Sequence, residues 1–156
     1  MLRVLRQHEV DFIVVGGVCA VLHGAPLMTL DLDVVHSREP ENIARLLAAL
    51  DELETRYRAP GHRGRRPGRS HLASAGHQLL LTRYGPLDVL GVIGRDRGYE
   101  QLLPHTQSLP LGQRLTVRVL DLPTLIAVKE ETAGDKDKAV LAILRRTLAE
   151  TRRRDS

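Results

Sequence analysis

The sequence predicts an α/β or α+β domain with a small helical part at its C-terminus. Three observations lead there. The chain has 156 residues, the usual size of one domain, with 42% hydrophobic and 27% charged residues, so it can bury a core. Apolar β-branched runs alternate with segments of helical period, and two helical stretches follow one another after residue 120.

The elements follow in order. Leu2, Leu5 and Glu9 have the spacing of a short helix, and Asp11-Phe-Ile-Val-Val15 reads as a buried strand ended by Gly16-Gly17. Val18 to His23 suits a short helix closed by Gly24-Ala-Pro26, because proline cannot continue it. Thr29 to Val35 alternates polar and apolar residues as a half-buried strand does, with Leu30, Leu32 and Val34 facing the core. Pro40 opens an amphipathic helix over 41–53, in which Ile43, Leu46, Leu47, Leu50 and Leu53 form one stripe. Residues 56–71 hold six arginines, three glycines and two prolines, and are expected to form a mobile basic loop. Gln78–Arg83 and Leu87–Ile93 read as a hairpin, and Leu115–Leu120 as another strand. Asp121 and Asp135 can each cap a helix, the second placing Val140, Leu141, Leu144 and Leu148 on one face. The expected organisation is a core over 1–120, a helical hairpin over 121–150 packed on it, and a disordered basic tail over 151–156.

The net charge of +4 comes from 20 arginines against 3 lysines, which suits a phosphate-bearing partner. Four aromatic residues are too few for a base-stacking platform, so a nucleic acid would be held by phosphate contacts or arginine planes. No apolar run is long enough to cross a bilayer and the N-terminus lacks a signal peptide's apolar centre, so no membrane association and a cytoplasmic location are expected. Cys19 is expected to be a small buried apolar residue, and none of the seven histidines has the spacing of a metal ligand.

The chemistry concentrates in Asp31-Leu-Asp33. Residues i and i+2 of a strand share a face, so these carboxylates lie about 7 Å apart and repel. A hard divalent cation, Mg²⁺ or Mn²⁺, relieves that repulsion and binds substrate phosphates as well. A third acid, Asp88, stands between Leu87 and Val89 on another predicted strand, a costly place for an unpaired charge. Three acids on neighbouring strands could hold two ions. Gly16-Gly17, at a strand-to-helix junction, would let backbone approach a phosphate closely, and Thr29 shares the strand face of Asp31. Lys129 sits at or beside a buried helix face, where a phosphate would satisfy its ammonium.

Val15-Gly-Gly-Val-Cys-Ala-Val-Leu-His-Gly24 followed by Thr29-Leu-Asp-Leu-Asp-Val-Val35 resembles the nucleotidyltransferase superfamily with the polymerase-β-type core, and is most similar to AbiEii-like toxin nucleotidyltransferases and their small relatives. Gly16, Gly17, Asp31, Asp33 and Asp88 follow that family's pattern in order. A looser match reaches the C-terminus through Lys129 and the pair Lys136-Asp137. The resemblance implies a mixed central sheet with flanking helices. It also implies an enzyme that moves a nucleoside monophosphate from NTP to an acceptor hydroxyl and releases pyrophosphate. Asp31, Asp33 and Asp88 would be catalytic and bind two Mg²⁺ or Mn²⁺ ions, with Gly16, Gly17, Thr29 and Lys129 contacting nucleotide. It points to RNA or a tRNA end as acceptor, and to a cognate toxin or antitoxin protein as partner. Relatives often have arginine where this chain has Leu27, and Glu130-Glu131 is expected to weaken attraction for a triphosphate. The alternatives are transfer to a protein or small molecule, or a non-catalytic nucleotide- or partner-binding module.

Overall fold

Seven strands form one mixed sheet, in the order β3-β4-β5-β2-β1-β9-β8. The computed structural model describes residues 1–134 and 137–156. In chain order these are α1 (Leu2–Gln7), β1 (Phe12–Val15), α2 (Gly16–Leu22), β2 (Leu32–His36), α3 (Pro40–Glu52), β3 (Arg56–Tyr57), α4 (Arg69–Ala73), β4 (His77–Thr82), β5 (Gly85–Leu90), the small hairpin β6 (Val92–Ile93) and β7 (Arg97–Gly98), α5 (Tyr99–Leu102), β8 (Thr106–Pro110), β9 (Thr116–Leu120), α6 (Leu122–Glu131) and α7 (Lys138–Asp155).

Every residue of β1 is buried, as its unbroken apolar run requires, and it pairs antiparallel with β2 and parallel with β9. β2 and β5 are parallel neighbours, which sets Leu32 beside Leu87, Asp33 beside Asp88 and Val34 beside Val89. Leu87, Val34 and Val89 are fully buried, so the hydrophobic alternation fixes which face carries the two acids. Helices flank the sheet in two groups: α3 contacts α1 and α4, while α6 contacts α2 and α7.

β4 alternates strictly between exposed and buried residues. Gln78, Leu80 and Thr82 point inward, and His77, Leu79 and Leu81 face solvent, so one face of the sheet lies bare at this edge. β4 and β5 form the expected hairpin, joined through a left-handed Gly85 with φ of 127°.

Three expectations change. β2 begins at Leu32, because its antiparallel partner β1 ends at Val15 opposite Asp33 and turns into α2; Leu30 is 83% exposed and faces no core. The segment 56–71 is anchored at both ends. Tyr57 pairs with β4, and its phenol donates to Gln78 Oε1 at 2.6 Å, while the fully buried Leu72 of α4 follows. The expected disordered tail over 151–156 is helical through Asp155, since Leu141, Leu144 and Thr147 bury one face of α7 and Arg152, Arg153 and Arg154 complement the negative end of its dipole. The helix is described from Asp137 onward, and the predicted cap Asp135 lies outside the described residues, as does Lys136.

Asn42 of α3 ties three segments together. Its Nδ2 donates to Asp11 O at 3.0 Å and Ser37 O at 2.8 Å, and its Oδ1 accepts from Asp11 N at 2.7 Å. Asn42 is 1% exposed, so truncation strands these backbone groups. Asn42→Ala should lower stability by about 3 kcal/mol, read as a lower urea midpoint at unchanged slope. A loss under about 1 kcal/mol would show that water replaces the amide.

Candidate active site

The site is built where β1 ends. Val15 is in register with Asp33, and the chain then turns into α2 through Gly16 at φ of 68°, a conformation that glycine adopts without strain. A Cβ on Gly16 would lie 2.1 Å from Asp33 Oδ2, and one on Gly17 would lie 2.7 Å from Thr29 Oγ1. Both glycines are therefore required by the side chains pressed against them. Asp33 and Thr29 are held against bare backbone at the start of α2.

Asp33 stands beside Asp88 at the parallel β2–β5 junction, and Asp31 precedes the strand. Asp88 is the more enclosed, with 14% side-chain exposure against 46% for Asp31. Burial raises the pKa of Asp33 to about 7, helped by the charge and hydrogen bond of Asp88 and by the charge of Asp31, while Arg58 opposes the rise.

Arg58 joins the acid cluster, a neighbour that the sequence pattern did not single out. Its Nη1 lies 2.6 Å from Asp88 Oδ1 and its Nη2 lies 3.7 Å from Asp31 Oδ2. Nη1 also donates to Leu80 O at 2.7 Å, so the guanidinium bridges the β4 backbone and the Asp88 carboxylate. The sequence signal that could have revealed it was the alternation around Tyr57. Arg56-Tyr57-Arg58 has strand alternation around an inward aromatic, which sets both arginines on the opposite face.

A cavity of about 250 Å³ brings together Gly16, Gly17, Thr29, Asp33 and Lys129, with Leu27 and Leu125 in its apolar wall. Five of the seven predicted site residues thus share one hollow. Asp31 and Asp88 lie beyond Asp33, outside its lining. Lys129 Nζ pairs with Asp137 Oδ1 at 2.9 Å, and this hydrogen bond, with a second from Gly134 N, holds the Asp137 carboxyl below its usual range. Glu130 and Glu131 are each neutralised, Glu130 by Arg145 at 2.8 Å and Glu131 by Arg97 and the Arg95 amide. The predicted acidic penalty on a triphosphate is therefore offset locally.

Among the described residues, no three His, Cys, Asp or Glu side chains converge as a ready-made metal cage. The donor chemistry still fits a hard cation. Asp33 and Asp88 stand in register with Asp31 alongside, and burial together with their mutual repulsion disfavours charge on Asp33; a divalent ion relieves both. Cys19 is fully buried, donates to Leu120 O at 3.2 Å, and has its thiol pKa pushed up to about 12 by burial. His36 is buried and donates to Leu72 O at 2.7 Å.

No protein-family model matches the chain, and no curated protein matches it. A crystal structure from Thermotoga maritima, provisionally named a nucleotidyltransferase, is similar at a TM-score of 0.50 and 17% identity, across 98% of this chain and 90% of that one. The likeness establishes a nucleotidyltransferase-like fold for this chain.

A carboxyl whose pKa rises on folding keeps its proton where the unfolded chain has lost it, so stability falls as pH rises between its ordinary value of 3.8 and about 7. Asp33→Asn should flatten that part of the pH–stability curve and raise Tm at pH 8 by about 3 °C. An unchanged curve would show that Asp33 is ionised throughout.

Proposed function

We propose that the chain is a metal-dependent nucleotidyltransferase that moves a nucleoside monophosphate from NTP to an acceptor hydroxyl. The observation that carries this reading is the registered pair Asp33–Asp88, with Asp31 alongside, opening onto a hollow that Gly16, Gly17 and Lys129 share. Acids that repel one another at the mouth of a cavity with a lysine in its wall form a site for a cation and a polyphosphate together.

Asp31, Asp33 and Asp88 would hold Mg²⁺ or Mn²⁺, two ions in the full assembly, and the ions would supply charge neutralisation at the phosphates. The hollow lined by Gly16 and Gly17 would take the β- and γ-phosphates, with Thr29 at its edge. Lys129, released from Asp137, would add a compact positive charge there. Asp88 would take the proton of the acceptor hydroxyl as that oxygen bonds to the α-phosphorus and the bond to pyrophosphate breaks. Such transfer depends on positioning and charge more than on covalent catalysis, so these groups suffice.

For the acceptor the reading favours RNA, on the strength of the exposed arginines between Arg56 and Arg69. A tRNA end as the target, a toxin-like role and a cognate protein partner belong to the same proposal and rest on the motif resemblance. No helix is long and apolar enough to cross a membrane among the described residues. A non-catalytic binding module is the second reading, favoured by the guanidinium of Arg58 against Asp88.

Incubating purified protein with Mn²⁺ or Mg²⁺, each α-labelled NTP and total RNA should give labelled RNA. Asp33→Asn and Asp88→Asn should reduce transfer by about three orders of magnitude, and Lys129→Ala should raise KM for NTP about tenfold. Labelled protein in place of RNA would reassign the acceptor. No transfer with any nucleotide or metal would favour the binding module.

A further inference from the structure

The arginines of 56–69 divide sharply by environment. Arg66 pairs with Asp51 at the surface at 2.9 Å, and no carboxylate pairs with Arg63, Arg65 or Arg69 among the described residues. Arg58 alone of this group reaches the acids, and the backbone puts it there. Beyond the β3–β4 pairs Arg56–Leu81 and Tyr57–Leu80, Arg58 N donates to Leu79 O at 3.2 Å, continuing the register. Leu79 is in register with Asp88, and Asp88 with Asp33. Residues paired this way point to one face. Asp33, Asp88, Leu79 and Arg58 therefore form one row across four adjacent segments of the sheet.

The row has two flanks. Gly16, Gly17 and Lys129 lie on the Asp33 side, where the proposed donor nucleotide sits. Arg58 lies on the other side, above the bare face that His77, Leu79 and Leu81 leave exposed. Its guanidinium holds the ground between Asp88 and Asp31 that a divalent ion would need. Two cations in contact with the same carboxylates repel, and the doubly charged ion interacts more strongly with both. Entry of the ion would turn the guanidinium out toward the bare face, with the arginine backbone still fixed to Leu79. A planar guanidinium freed there matches a phosphodiester through paired N–H donors, and Arg63, Arg65 and Arg69 extend the positive surface along the same segment.

We propose that Arg58 is a displaceable counter-cation of the acid cluster, which a divalent metal releases to bind a phosphate of a polynucleotide acceptor along the bare face of β4. This rests on the nucleotidyl-transfer reading and adds to it a residue that couples metal occupancy to acceptor binding.

Two measurements on the full chain test it. In the first, Mn²⁺ alone is titrated into wild type, Arg58→Gln, Arg58→Lys and Asp33→Asn, with free ion read by electron paramagnetic resonance and folding checked by circular dichroism melts. Removing the competing charge should tighten Mn²⁺ binding by about fivefold or more in Arg58→Gln, leave Arg58→Lys nearer wild type, and abolish binding in Asp33→Asn. In the second, a fluorescein-labelled single-stranded RNA is titrated by anisotropy with and without Mn²⁺ and no NTP. Wild type should bind about threefold or more tighter with the ion, and Arg58→Gln should lose that increment, as expected for one phosphate contact. Mn²⁺ binding that depends on Asp33 but is unchanged or weaker in Arg58→Gln would overturn this inference alone, as would an RNA increment that survives the substitution. Failure of both wild type and Arg58→Gln to bind Mn²⁺ would overturn the nucleotidyl-transfer reading and this inference with it.

Discussion

The rest of the site depends on the forced proximity of Asp33 and Asp88. The β2–β5 pair is parallel and in register, and the buried Leu32, Val34, Leu87 and Val89 leave no freedom to slip it. A one-residue shift of β2 would turn Asp33 into the core and take Leu32 and Val34 out of it. The chain thus holds two carboxylates side by side because the hydrophobic core demands that register. Burial and their mutual repulsion raise the Asp33 pKa to about 7, which favours proton uptake there, and the guanidinium of Arg58 lies against Asp88. Both are monovalent answers to a site that a divalent ion would satisfy more fully.

The surrounding backbone follows from this arrangement. Gly16 and Gly17 are set by the space that Asp33 and Thr29 occupy, so the glycine turn and the acid strand form one packing unit. Glu131 shows the same logic at the C-terminal end of α6. Its carboxylate accepts from Arg95 N and pairs with Arg97, where a Cβ on Gly94 would come within 2.5 Å of Oε2. The β6–β7 hairpin is thereby fastened to α6, and a surface that reads as acidic in the sequence is locally neutral.

The parts of the fold that bury apolar surface periodically were legible in the sequence. β1, α3, the β4–β5 hairpin, β9 and α6 lie where their patterns put them, and Gly16, Gly17, Thr29, Asp33 and Lys129 line one hollow. The start of β2 was not legible, because it is set by where β1 ends in the pairing, at Val15 opposite Asp33, and not by any pattern in 29–35. β8 carries no apolar signal, since an edge strand of Thr106-Gln-Ser-Leu-Pro110 buries little. Arg152 to Arg154 read as a solvated charge run, yet the same charges suit the last turn of α7. Arg58 was hidden by its neighbours. Six arginines in one segment look equivalent until the register of β3 singles out the one beside Asp88.

The most direct test of this account is a ¹³C carboxyl titration of Asp33 by NMR, with and without Mg²⁺, the resonance assigned by its loss in Asp33→Asn. The account predicts that Asp33 titrates near pH 7 in the free protein and moves well down when Mg²⁺ is added. A carboxyl that titrates in the ordinary aspartate range and ignores Mg²⁺ would contradict it.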